Sequence, residues 1–197
     1  QAICKAFAGD RYIMLLNLIA SLSILVPAIV ISLALALLIG VIMGMNRGLR
    51  DALHPVLYTI SVVPSILLSP FALLLAPNFR TASLFLIVYE SVWATVFGTI
   101  TGIMTIDRRY LDKAETLELH GFRKLFRVML PAASPSIISG FVNSLSGTFV
   151  MLVYAEMYGA QYGLGFYVKR YSTLGIYENV WGGFLFMVFI LIIVMTI

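Results

Sequence analysis

Cysteine is almost missing from this 197-residue chain. The single one, Cys4, excludes an intrachain disulfide and a cysteine-built metal cluster. Charge is scarce too. Asp, Glu, Lys and Arg make up 11% of the residues, against about a quarter in a soluble domain. Only two histidines occur, His54 and His120, both in polar loops, and no His/Cys/acid group stands at metal-ligand spacing. Neither kind of glycine-rich phosphate loop is present. An intramembrane enzyme would need a nucleophile–base pair or a metal pair inside the bilayer, and the sequence offers neither.

What the chain has in abundance is apolar surface: 61% hydrophobic residues and a mean hydropathy of +1.00. Much of that surface must face lipid. The net charge of +4 is not a nucleic-acid signature, because the basic residues cluster at the ends of apolar runs, as membrane topology requires. The expected fold class is all-α integral membrane, in one domain over 1–197. A bilayer core takes about 20 helical residues, and five runs qualify: 18–45, 56–76, 83–104, 132–154 and 180–197. Residues 1–12 read as an extramembrane lead-in, and the start at Gln1 and stop inside an apolar run suggest that parts of a longer chain lie outside the sequence.

Within the runs, several features stand out. Pro27 predicts a kink in the first. Gly40 and Gly44 form a small-xxx-small pair that lets another helix approach. Pro64 and Pro70 fall in one span and argue for a broken helix, tolerated at membrane depth only where it is buried in protein or lines a cavity; a surface bend between two short helices is the alternative. Glu90 is a carboxylate inside the third span. Such a group is costly and faces a partner or water, unless it lies shallow, near the interface that Tyr89 and Trp93 suit. The fourth run is unusually polar, with Asn143, Ser144 and Thr148 among its small residues. Pro64, Pro70, Glu90, Asn143, Ser144 and Thr148 are the candidate wall of a translocation path. Tyr158 to Asn179 reads as an aromatic, interfacial stretch.

The longest polar segment lies in mid-chain, Asp107 to Pro135. It holds six of the 13 Lys and Arg and four of the nine acids. Apolar residues recur at Leu111, Ala114 and Leu117, then at Phe122, Leu125, Phe126 and Met129, at helical steps. The pattern predicts a short amphipathic helix over Leu111–Leu119, a turn at His120–Gly121, and a second helix climbing to Leu130–Pro131. A solvated connecting loop is the plainer reading. With Arg47 and Arg50 in the 46–54 turn, this side carries eight basic residues. The other carries five: Lys5, Arg11, Arg80, Lys169 and Arg170. The central segment is therefore expected in the cytoplasm.

This segment resembles the coupling motif of ABC importer permeases, Glu-Ala-Ala-x-x-x-Gly followed later by Leu-Pro. Counting back from Leu130-Pro131 places Asp112 on the Glu, Lys113 and Ala114 on the two Ala, and Glu118 on the Gly. Asp, Lys and Glu are departures from the motif, and Gly121 comes three residues late. The resemblance continues through Gly40, Gly44, Pro55, Pro64 and Pro70. It also includes Glu156-Met157, Gly159 and Gly163-Leu164-Gly165, which look like the nitrate, sulfonate and taurine branch. It implies a type I permease fold paired with a second permease copy, and coupling through Leu111, Asp112, Ala114, Glu115, Leu117, Glu118, Gly121 and Pro131. It further implies cytoplasmic ATPase subunits that bind ATP and Mg, with no cofactor on this chain, an extracytoplasmic solute-binding protein, and a multi-pass place in the cell membrane. A channel or secondary transporter is the competing class; it would be expected to carry paired mid-membrane charges or inverted repeats.

Overall fold

The structure, a computed structural model, describes residues 11–196, and the lead-in with Cys4 and Lys5 lies outside them. The described residues form helices and no strand. In chain order these are α1 (Arg11–Met45), α2 (Arg47–Ser61), α3 (Ser65–Leu75), α4 (Phe79–Met104), α5 (Arg108–Thr116), α6 (Gly121–Gly159), α7 (Leu164–Thr173) and α8 (Tyr177–Thr196). Four stretches are long and apolar enough to cross a membrane: Tyr12–Met45, Phe79–Met104, Gly121–Gly159 and Tyr177–Met195. A fifth results if α2 and α3 count as one span, bent by 85° at the break between them.

The helices exceed the apolar runs that announce them. α1 is already helical at Arg11 and continues through Pro27. α4 begins at Phe79, which moves Glu90 from near a helix start towards the middle. α6 begins far ahead of residue 132, because its polar first turns belong to the same helix. The broken element follows from proline chemistry. Pro64 is extended and caps α3, since the ring removes an N–H and disfavours helix before it. α3, at 11 residues, spans only about 16 Å, too short to cross a bilayer alone. α2 buries none of its residues. The aromatic stretch between Tyr158 and Asn179 contains α7.

The chain divides into two compact units, 11–30 with 64–90 and 145–196, and 31–63 with 91–144, among the described residues. The first unit has a core of Ile24, Leu25, Ala28, Leu86, Ile87, Met151 and Leu152. The second is built on Ala36, Met43, Val92, Val96 and Ile100. Its helices approach very closely. A Cβ on Gly40 would lie 2.5 Å from Thr99 Cβ, and one on Gly44 2.9 Å from Ile103 Cβ, so the small-residue pair does seat α1 against α4. Gly140 of α6 meets Gly98 of α4, with room for no Cβ: Ala94 O would stand 2.5 Å from it. Without a hydrophobic drive between helices in lipid, such contact is how spans hold together. Large apolar side chains elsewhere face outward, among them Ile19, Val30, Leu74 and Leu75. Water would not tolerate so continuous an apolar surface.

Candidate functional site

The mid-chain polar segment lies in the second unit. α5 starts where Asp107 Oδ1 accepts the Arg109 amide at 2.9 Å. It stops three residues earlier than its hydrophobic period suggests. Glu118 N donates to Glu115 O at 2.9 Å and Leu119 N to Ala114 O at 2.9 Å. That is the Schellman closure, which needs a left-handed residue after the C-cap. The left-handed residue is Glu118, with φ of 50°. Glycine is the usual occupant of such a site. Counting back from Leu130-Pro131 had set Glu118 on the motif's glycine, and the backbone conformation agrees with that register. Gly121 also has a positive φ, 55°, but it opens α6 rather than closing α5. The expected turn at His120–Gly121 is thus displaced to Leu117–His120.

α6 then rises with a π-helical turn at Leu125–Met129 before its regular part begins at Leu130. π turns are rare and recur at functional sites. α5 is fastened to this joint. Ala114 and Leu125 are buried, and Lys124 Nζ stands 3.3 Å from Glu115 Oε1. A cavity of about 450 Å³ remains, lined by Tyr110, Lys113, Leu117, Arg127, Pro131 and Pro135 among others. Asp112 and Glu115 are exposed, and Leu111 is half-buried. Leu117 is 69% exposed, Phe122 79% and Phe126 64%. These large apolar groups stand exposed on an otherwise charged segment. Phe122 and Phe126 recur at helical steps in the sequence, which does not say what they face; in the structure they are exposed.

The path candidates are divided between the two units. Pro64, Pro70, Glu90 and Thr148 belong to the first unit, Asn143 and Ser144 to the second. Glu90 is half-buried, and its Oε2 accepts the hydroxyl of Ser65, the first residue of α3. A helix N-terminus carries partial positive charge, which suits a carboxylate. Gly147 of α6 packs on that carboxyl group, where a Cβ would lie 2.7 Å from Oε1. Pro64 and Pro70 are exposed, as is Asn143, whereas Ser144 and Thr148 are buried. Ser144 Oγ donates to Phe141 O of its own helix at 2.7 Å.

A second polar locus was only half visible in the sequence. Glu156, on α6, is 1% exposed. Its Oε2 accepts the Gly165 amide at 2.8 Å. The two preceding amides are held from α1: Gly163 N donates to Asn17 Oδ1 at 2.8 Å, and Leu164 N to Ser21 Oγ at 3.0 Å. These are the orphan donors at the start of α7, which have no intrahelical partner. Gly163, at φ 129°, has no space for a Cβ beside the Glu156 carboxyl group. Asn17 and Ser21 passed unnoticed in the sequence. The signal was there: two polar residues four apart in a largely apolar helix, hence on one face.

The model of the family described as binding-protein-dependent transport system inner membrane component matches residues 32–197. Among curated proteins, the nitrate import permease protein NrtB of Leptolyngbya laminosa is 27% identical over 109 residues, 55% of this chain and 39% of that protein. The putative aliphatic sulfonates transport permease protein SsuC of Bacillus subtilis is 28% identical over 109 residues, 55% of this chain and 40% of its own length. SsuC of Escherichia coli is 31% identical over 104 residues, 53% and 40% of the two chains. The chain matches about two fifths of the length of these relatives.

Proposed function

The chain belongs to the family of binding-protein-dependent transport system inner membrane components, and from that premise we propose that it is the permease subunit of an ATP-driven importer in the nitrate and sulfonate branch. In this reading it forms the solute path with a second permease copy. It does no hydrolysis itself: ATP and Mg act in cytoplasmic ATPase subunits, and a solute-binding protein delivers cargo from the other side. The observation that carries the reading is the exposed face of the mid-chain segment. Leu117 stands outward where α5 ends, and Phe122 and Phe126 stand outward on the first turns of the 39-residue α6, joined to α5 by a short turn. A soluble motor can move a membrane path only through a rigid element that it can grip. It shifts the inward–outward balance only by binding the two states differently. α5, capped at both ends and pinned to α6 by Glu115 and Lys124, suits that task.

The names nitrate and sulfonate belong to the relatives and do not fix this chain's cargo. The inner parts of its spans lack Lys and Arg, and Glu90 is the carboxylate nearest the middle of one. A tight anion site on this subunit would lack a counter-charge. Selection therefore falls mainly to the binding protein, while the permease supplies a weak, wet path of hydroxyls, amides and backbone dipoles. The test is the double substitution Leu117→Glu with Phe122→Glu in the complete transporter in proteoliposomes. The permease should still insert, but stimulation of ATPase activity by the loaded binding protein should be lost together with uptake. Uptake that persists unchanged would remove the coupling role, and uptake without any ATPase would favour a channel or secondary transporter.

A further inference from the structure

Beside the α5–α6 joint lies a second cavity, of about 500 Å³. Three separate stretches of chain converge on it within the second unit: the end of α1 with the start of α2, the end of α4, and the α5–α6 joint. Its charged lining is wholly cationic, Arg47, Arg50 and Lys124. Its walls include Met45, Met104 and Met129, soft side chains that adapt to irregular apolar ligands. Two of the cations are drawn inward: side-chain exposure is 15% for Arg50 and 24% for Lys124. Arg50 is held by a bond from Nη1 to Gly44 O at 3.2 Å. Asp51 and Glu115 stand beside the cations, Asp51 3.6 Å from Arg47 and 3.8 Å from Arg50, Glu115 3.3 Å from Lys124. Two acids against three cations leave an excess of positive charge.

We propose that this cavity is a binding site for one anionic phospholipid, its headgroup phosphate against Arg50 and Lys124 and its glycerol and upper acyl chain along the methionine wall. The place and the chemistry fit together. The cavity opens where spans end and polar turns begin, which is the depth of a lipid headgroup. Basic pockets between spans on the cytoplasmic side take such headgroups, whereas a free phosphate would have no use for the apolar wall. A soluble anionic peptide would meet the same cations but would not reach along span ends. A seated lipid would bridge the α1–α2 turn to Leu111 of α5 and Lys124 of α6, so that lipid composition would tune the stiffness of the joint. The proposal rests on the membrane setting alone and stands whether or not an ATPase is the partner.

The experiment is native mass spectrometry of the complete permease, alone or with its partners, released from mild detergent and titrated with phosphatidylglycerol, phosphatidylcholine or inorganic phosphate. The wild type should retain phosphatidylglycerol in preference to phosphatidylcholine, and phosphate should not displace it. Arg50→Gln with Lys124→Gln should weaken that retention by about 30-fold. Arg108→Gln with Arg123→Gln removes equal charge outside the cavity and should leave it unchanged. Should the first pair fail to insert, Met104→Trp, which fills the wall and keeps every charge, should also reduce retention. Equal retention of the two lipids, equal loss in the outside pair, displacement by phosphate, or full retention in Met104→Trp would each overturn the proposal.

Discussion

Glu118 offers the sharpest test of how the mid-chain polar segment is built. A non-glycine residue in the left-handed region costs about 1–2 kcal/mol. Glu118 bears this at φ 50° so that α5 can close through Glu115 and Ala114. Replacing it with glycine removes the strain but returns about 0.5–1 kcal/mol through the freer unfolded chain. The net gain for Glu118→Gly is therefore about 0.5–1 kcal/mol. Glu118→Ala keeps the strain and should be nearly neutral. Glu118→Val adds a β-branched side chain where such residues are outliers, and should lose about 1 kcal/mol more. Closure of α5 is a local equilibrium, so amide exchange reads it directly. In the purified permease in nanodiscs, protection of the Leu119 amide should rise about 3-fold in Gly, stay level in Ala, and fall about 5-fold in Val. The order, more than the size, carries the argument. Equal protection in Gly and Val would show that no left-handed residue closes this helix, and the register that places Glu118 on the motif's glycine would go with it.

Three further outcomes follow from the same geometry. Gly140→Leu should separate α4 from α6, since even a Cβ meets Ala94 O; overpacking of this order costs about 1–3 kcal/mol, and a thermal melt in detergent equal to wild type would refute the contact. Glu156→Ala strands the Gly165 amide at a cost of about 1–3 kcal/mol, whereas Glu156→Gln keeps an acceptor and should lose less; proteolysis of the 159–164 loop should separate the two, and equal cleavage would deny the bond. Glu90→Gln retains an acceptor for Ser65 while removing the charge. Uptake should fall severalfold with expression unchanged if the carboxylate faces the path, and wild-type uptake would confine Glu90 to bracing the start of α3.

How far the sequence reveals this fold depends on what each residue competes against. Long apolar runs have no rival structure in lipid, so α1, α4, α6 and α8 were legible as spans. Their ends were not, because polar turns such as Phe122–Met129 continue a helix once tertiary contacts hold them. Pro64 and Pro70 announced a break; the chain bends ahead of α3 at Pro64, whereas Pro70 lies inside α3, and no pattern rule supplies the angle. Gly40 and Gly44 were legible as an approach site, whereas their partners Thr99 and Ile103 lie far off in sequence. Periodicity placed the mid-chain helix three residues late, at Leu111–Leu119 where α5 runs Arg108–Thr116. Gly121 looked like its terminator, yet the backbone bonds close the helix at Glu118 because the Ala114 and Glu115 carbonyls are the ones within reach. Glu156 drew notice as a charge at a helix end. Its role stayed hidden because Asn17 and Ser21 come from the opposite end of the chain.

The three-amide cradle at the start of α7 bears on how the molecule is made. Synthesis runs from the N-terminus, so Asn17 and Ser21 exist long before α7, and Glu156 leaves the ribosome shortly ahead of Gly163–Gly165. For that interval a nascent chain carries a carboxylate without the amide that later receives it. Such a group in an apolar setting is disfavoured until it is matched. Emergence of a single glycine-rich loop then satisfies α1 and α6 at once. A chain that fails to seat this loop would leave a helix start and an acid both unmet.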